Sequence, residues 1–264
     1  MGVALITPFK EDESVDYEAL ARLVDYQLQN GTDYLVVLGT TAETPTLTEE
    51  EKKDIINLVV TKVNGRIPIV LGVGGNCTRS VVEEGIYQHY KAIAEATTLP
   101  IVLYNVPGRT GVNMTAETTL RIAREFKNVI AVKEASGNIT QMDDIIKNKP
   151  ANFNVISGDD GITFPLITLG AVGVISVIGN AFPREFSRMV RLALAGDYDS
   201  ARTIHHSFTE LFSLLFIDGN PAGAKSMLNA MGFIENKLRL PLVPTRITTF
   251  EKIRDVLRQL SIKC

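Results

Sequence analysis

The stretch Val129-Ile130-Ala131-Val132-Lys133-Glu134-Ala135 decides the fold. Four apolar residues run without polar alternation, and a lysine closes them. A strand with one solvated face alternates apolar and polar side chains, whereas a strand buried on both faces of a parallel sheet does not. Six more short apolar runs share that character: Val3–Pro8, Tyr34–Leu38, Ile67–Gly72, Leu99–Pro107, Phe153–Gly158 and Val172–Ile178. Longer amphipathic stretches separate them. Thr48-Glu49-Glu50-Glu51 is a capping box ahead of Ile55, Ile56, Val59 and Val63. Asp16 precedes Tyr17–Gln29, with Leu20, Leu23, Val24 and Leu28 on one stripe. Thr115 precedes Ala116–Phe126, with Leu120, Ala123 and Phe126 inward. Strand–helix units of about thirty residues imply right-handed βαβ crossovers. The expected fold class is α/β, a (β/α)8 TIM barrel over residues 1–195 followed by a C-terminal helical region over 196–264.

Seven strands are one short of a closed barrel of this type. The irregular place is Asn76–Gly85. Cys77-Thr78-Arg79-Ser80-Val81-Val82-Glu83 starts as a helix would, and then runs directly into Glu84-Gly85-Ile86-Tyr87. A fourth-strand segment is expected to be missing between Glu83 and Glu84. Either a unit is lost or the sequence omits residues there, and the need for barrel closure favours the second. In the C-terminal region, Gly196–Gly232 and Leu240–Ile262 read as helices without strands. Ala201, Ile204, Phe208, Leu211, Phe212 and Leu215 form an apolar stripe there, and Pro241 and Pro244 punctuate the chain before Thr249–Leu260.

The 264 residues carry a formal net charge of −3 and are 45% apolar, enough for a large core. Balanced charge without a basic run argues against a nucleic-acid partner. No stretch of about twenty apolar residues predicts a membrane span. The opening MGVALITPFK reads as a first strand rather than a leader. Two cysteines, Cys77 and Cys264, offer neither a metal quartet nor a disulfide framework, and a reducing cytoplasm is the simplest home. His89, His205 and His206 have no metal-ligand spacing and read as structural or surface residues. Neither a metal nor an organic cofactor is expected.

In a barrel of this kind the chemistry sits at the C-terminal ends of the strands. The polar residues there are Thr40, Thr41, Glu43, Tyr104, Asn105, Arg109, Lys133, Glu134, Ser136, Asp159 and Asp160. Lys133 is the sharpest candidate. Burial disfavours an ammonium and lowers its pKa, and a neutral amine can attack a ketone and form a Schiff base. Its plain alternative is a lysine reaching solvent from a strand end. Tyr104 could shuttle protons beside a carbinolamine, or simply pack. Arg109, in a Pro/Gly turn, has the planar fork that suits a carboxylate, or is a solvated loop cation. Gly39-Thr40-Thr41-Ala42-Glu43 brings small residues, hydroxyls and a helix start where an anion could sit. Gly72-Val73-Gly74-Gly75-Asn76 lacks the spacing of a dinucleotide loop. Asp159-Asp160 could hold a metal, but no further ligands cluster with them in sequence, and hydrogen bonding at the barrel mouth is the better reading.

Five motifs in order carry a resemblance. They are Gly39-Thr40-Thr41-Ala42-Glu43, Tyr104-Asn105-Val106-Pro107-Gly108-Arg109-Thr110-Gly111, Val132-Lys133-Glu134-Ala135-Ser136-Gly137-Asn138, Ser157-Gly158-Asp159-Asp160 and Gly173-Val174-Ile175-Ser176-Val177. Through them nearly the whole chain resembles the dihydrodipicolinate synthase family of pyruvate-dependent class I aldolases. That resemblance implies a lyase of lysine and diaminopimelate biosynthesis that condenses pyruvate with aspartate 4-semialdehyde. Lys133 would form the imine, with Tyr104 and Thr40 in a proton relay. Thr40 and Thr41 would hold the pyruvate carboxylate, Arg109 the carboxylate of the semialdehyde, and backbone at Gly158 and Ile175 would line the pocket. The resemblance also implies a cytoplasmic homotetramer built from tight dimers. The Arg109 turn separates this reading from N-acetylneuraminate lyase. A sugar-acid or neuraminate aldolase keeping Lys133, and a keto-acid-binding barrel that has lost its relay, remain as alternatives. The chain departs from the family at Ala42, where glycine is usual. It also departs at the fourth-strand segment, where the family carries a tyrosine that enters the neighbouring subunit's site. Glu49, Lys52 and Ser80 differ at positions resembling the lysine-feedback site, which leaves feedback open.

Overall fold

The computed structural model describes residues 1–72 and 83–260. The helix start expected at Cys77–Glu83, most of the glycine-rich loop after Gly72, Ser80 and both cysteines fall outside the described residues, Glu83 excepted.

The chain divides into two compact units. The first comprises Met1–Gly74, Ser176–Arg191 and Tyr198–Cys264; the second comprises Gly75–Ile175 and Leu192–Asp197. In the first unit, β1 (Gly2–Ala4), β2 (Tyr34–Val37) and β3 (Ile69–Leu71) pair in parallel; the sheet order is β3–β2–β1–β7, where the two-residue β7 (Ile175–Ser176) falls on the unit boundary. Helix α1 (Tyr17–Gln29) begins at Asp16, whose carboxylate accepts from the Ala19 N–H at 2.9 Å. Helix α2 (Glu49–Val63) starts on the expected capping box: the Glu51 N–H donates to Thr48 Oγ1, and the Thr48 N–H donates to the Glu51 carboxylate. These reciprocal bonds satisfy two of the orphan donors every helix start leaves. Of the predicted stripes, Leu20, Leu23 and Val24 on α1 and Ile55, Val59 and Val63 on α2 are buried, whereas Leu28 and Ile56 are only partly so, and Gln27 is buried beside Leu28.

The second unit holds a three-stranded parallel sheet of β4 (Ile101–Asn105), β5 (Val129–Glu134) and β6 (Asn154–Ser157), in that order. Its helices are α3 (Glu83–Ala96), the short α4 (Pro107–Thr110), α5 (Ala116–Glu125), α6 (Ile139–Asn148) and α7 (Thr163–Leu169). Side chains alternate across the sheet. The row Leu103–Val132–Val155 faces a core shared with Tyr87 and Ala94 of α3, Leu120 and Ile122 of α5, and Ile145 of α6. The next row, Tyr104–Lys133–Ile156, lies on the opposite face. Thus the lysine that ends the decisive strand turns away from the helical core.

Six of the predicted strand runs contain an observed strand, the first overlaps β1 only at Val3–Ala4, and the described residues hold seven strands. The expected break at Glu83 and Glu84 falls inside a single helix, since both residues lie in the first turn of α3. After β7 come α8 (Pro183–Leu194), α9 (Tyr198–Ser207), α10 (Thr209–Leu214), α11 (Ala222–Ala230) and α12 (Ile247–Gln259). Two helix expectations need correction. The helical stretch Gly196–Gly232 is interrupted at Gly219-Asn220-Pro221, where Gly219 takes φ +95. The helix expected from Leu240 begins only at Ile247. Pro241 and Pro244 lack the N–H a helix interior needs, and they hold residues 240–246 out of it.

Candidate active site

Two adjacent parallel strands present the central pair. Tyr104 and Lys133 are register partners on β4 and β5, and Lys133 Nζ lies 4.2 Å from the centroid of the Tyr104 ring. Burial lowers the Lys133 ammonium from its ordinary 10.5 to about 8, against the raising effect of Asp160 and with a smaller lowering effect of Arg109. Desolvation outweighs the nearby carboxylate because leaving water penalises only the charged form. At pH 7 such an amine is neutral in about one molecule in ten, against roughly one in three thousand for an unperturbed lysine.

One position further along, both strands turn their side chains back to the helical face. Asn105 and Glu134 are register partners there, and both are buried. Asn105 Nδ2 reaches both Glu134 carboxylate oxygens at 3.1 Å, Gln141 Nε2 donates to Glu134 Oε2 at 3.1 Å, and the Ser136 N–H donates to Oε1 at 2.8 Å. Asn105 Oδ1 in turn accepts from the Met114 N–H at 3.0 Å. A buried carboxylate without this many donors would be costly. The network therefore ties the ends of β4 and β5 to the start of α6, and so fixes the backbone from which Tyr104 and Lys133 project. Sequence reasoning placed Asn105 and Glu134 at strand ends without giving them this role. The strand alternation was the signal that could have found it, since residues after Tyr104 and Lys133 must face the helices.

Gly158 follows β6 directly, with its N–H bonded to Glu134 O at 2.7 Å. A Cβ there would stand 2.7 Å from Ala135 Cβ and 3.2 Å from Lys133 Cε, so only glycine leaves the lysine stem its path. Ile175 is buried. Arg109, in α4, is exposed, and its charge is felt at Lys133. Asp160 is buried at the head of a short 3₁₀ turn and acts on Lys133 through its charge.

The first unit carries the Thr40–Ala42 turn after β2. Thr41 is buried and Thr40 exposed. Ala42 has none of the positive φ that would demand glycine; the left-handed residues of this segment are Leu38 (φ +56) and Glu43 (φ +55). Alanine at position 42 is therefore accommodated without backbone strain. Among the described residues no group of three or more His, Cys, Asp or Glu side chains could hold a metal, and no helix is long and apolar enough to cross a membrane.

A desolvated lysine at the C-terminal end of a parallel strand, beside a tyrosine and within the field of an arginine, has the neutral amine that the Schiff-base class of α/β enzymes requires. A model of the dihydrodipicolinate synthetase family matches residues 1–84 and 79–260. The chain belongs to that family. It is 86% identical to the 4-hydroxy-tetrahydrodipicolinate synthase of Parabacteroides distasonis, covering all of this chain and 97% of the relative. That alignment runs over 289 positions, about twenty-five more than the 264 residues here. The dihydrodipicolinate synthase structure from Thermotoga maritima superposes with a TM-score of 0.96 at 41% identity, covering 99% of this chain and 98% of that one. A structure described as the first monomeric dihydrodipicolinate synthase variant superposes at 0.95 with 40% identity, covering 99% and 96%. The fold class is accordingly that of these TIM-barrel synthases.

Proposed function

We propose that the chain condenses pyruvate with L-aspartate 4-semialdehyde to 4-hydroxy-tetrahydrodipicolinate, as a lyase of lysine and diaminopimelate biosynthesis. The observation that carries this reading is the Lys133 amine, brought to about 8 by burial and set against the Tyr104 ring. Neutral Lys133 adds to the pyruvate ketone, and Tyr104 with Thr40 passes the protons that release water and leave the imine. The imine loses a methyl proton, and its positive nitrogen takes up the electron pair, giving an enamine. The enamine carbon bonds to the aldehyde carbon of the semialdehyde, whose carboxylate Arg109 holds through its planar fork. The semialdehyde amine then adds to the imine carbon, displaces Lys133 and closes the ring. The imine is its own electron sink, so the route calls for no metal or organic cofactor.

Thr40 and Thr41 take the pyruvate carboxylate in this reading, and Gly158 and Ile175 line the pocket. Support comes from the family motifs and from the room that Gly158 leaves beside Lys133. The cytoplasmic homotetramer rests on the family resemblance alone. We further propose that, set against its relatives, the chain lacks a fourth-strand unit near Glu83. In support, the family match falls into two stretches that meet at residues 79–84. The intact mass of the protein from its own source decides whether the native chain has those residues.

The function is tested by incubating the protein with pyruvate, reducing with borohydride and mapping the adduct by peptide mass, then assaying turnover with the semialdehyde. An adduct on Lys133 with turnover is expected. Absence of any adduct on Lys133 overturns the reading, and an adduct without turnover reduces it to keto-acid binding.

A further inference from the structure

We infer that Asn220 and Lys225, both from the C-terminal helical region, are positioning residues that set the Thr40–Glu43 turn for carboxylate binding. The inference rests on the assignment of Thr40 and Thr41 to the pyruvate carboxylate.

The turn is strained at both ends. Leu38 and Glu43 hold left-handed backbone at φ +56 and +55, a conformation that costs non-glycine residues energy and persists only where the surroundings over-determine it. Three buried side chains supply that determination at the Glu43 end. Thr7 Oγ1 donates to Ala42 O at 2.9 Å, Asn220 Nδ2 donates to Thr41 Oγ1 at 3.1 Å, and Lys225 Nζ pairs with Glu43 Oε1 at 2.5 Å. Glu43 Oε2 also accepts from the Arg239 N–H at 3.2 Å. Lys225 and Glu43 are 0% and 1% exposed. A glycine or asparagine would adopt the left-handed position of Glu43 more easily, so the carboxylate is there for its partner rather than for the turn.

The far side of the pair is rigid. Lys225 Nζ also donates to Lys237 O at 2.9 Å and lies 4.2 Å from the centroid of the Phe9 ring. Its helix α11 is pressed against the end of α10, since a Cβ on Gly223 would come within 2.4 Å of Leu215 O. Asn220 has a directional effect besides. With the amide donating to the Thr41 oxygen, the hydroxyl proton is left to be given away, which is the polarity a bound carboxylate needs. The imine chemistry on Lys133 uses neither side chain.

The test separates positioning from folding. Asn220→Asp turns the donor into an acceptor that competes for the Thr41 proton. We expect the pyruvate concentration giving half-maximal trapping to rise about tenfold, with the limiting trapping rate near wild type. Lys225→Met alone strands a buried carboxylate and can fail to fold, so the second variant is the double change Glu43→Gln with Lys225→Met, which should fold and show the same rise. Thr41→Val is the reference. If it raises the half-maximal concentration while Asn220→Asp and the double variant do not, the positioning inference is overturned alone. If Thr41→Val changes nothing, the carboxylate assignment fails and takes the inference with it.

Discussion

Lys133 Nζ sits 4.2 Å from the centre of the Tyr104 ring, and the two residues are register partners on neighbouring parallel strands. One relationship thus has two consequences. The ring face attracts a cation and favours the ammonium, while the same enclosure strips water from it. Desolvation is the larger effect, because the lysine ends at about 8 rather than above its ordinary value.

The rate of imine formation with pyruvate is therefore expected to climb as pH rises through about 8 and then level off, because only the neutral amine attacks. Charge changes nearby move the curve in opposite directions. Asp160 raises the lysine pKa, so Asp160→Asn shifts the curve to lower pH; Arg109 lowers it, so Arg109→Ala shifts the curve to higher pH. Borohydride trapping against pH checks all three, and a flat profile between pH 6 and 9 would remove the titrating amine from the argument.

Much of this site could be read in the sequence, because a lysine closing an apolar run and a tyrosine in the next such run are local facts. Every strand run and the stripes of α1, α2 and α5 could be read likewise, since burial imposes a period on the side chains. What could not be read depends on contacts between distant residues. The Glu43–Lys225 pair spans most of the chain, and neither partner has a local pattern that names the other. Pro241 and Pro244 mark the break before α12 in the sequence itself, whereas the break at Gly219-Asn220-Pro221 lies within a stretch whose apolar stripe reads as helix.

Removing the buried ammonium should stabilise the fold. The unfolded chain keeps the Lys133 proton up to its ordinary 10.5, and the folded chain gives it up near 8. Between those values the unfolded state binds more protons, so this lysine's penalty is full below about pH 8 and fades as pH rises. Lys133→Met is expected to abolish trapping and raise Tm by a few degrees at pH 7, at about 2–4 °C per kcal/mol recovered. The gain should shrink towards pH 10. A gain that grows with pH in thermal melts would contradict the assigned direction.

Asn105→Ala attacks the lock behind the site. It removes one donor from buried Glu134 and leaves the Met114 N–H without its acceptor. Each buried group so orphaned costs about 1–3 kcal/mol, so Tm should fall by several degrees, with a slower trapping rate at saturating pyruvate. Unchanged melting would mean that the network does not hold β4 and β5.

Arg109→Ala should split the two half-reactions. Arg109 is exposed in α4, and its proposed partner is the carboxylate of the second substrate. A charge-assisted hydrogen bond contributes about 1.5–3 kcal/mol, so kcat/KM for the semialdehyde should fall by roughly 10- to 150-fold. Trapping of pyruvate on Lys133, assayed above pH 8.5 to take the lysine shift out of the comparison, should stay within about twofold. Equal losses in both steps would make Arg109 part of the imine machinery. A loss in neither would return it to the solvated loop cation that its exposure alone allows.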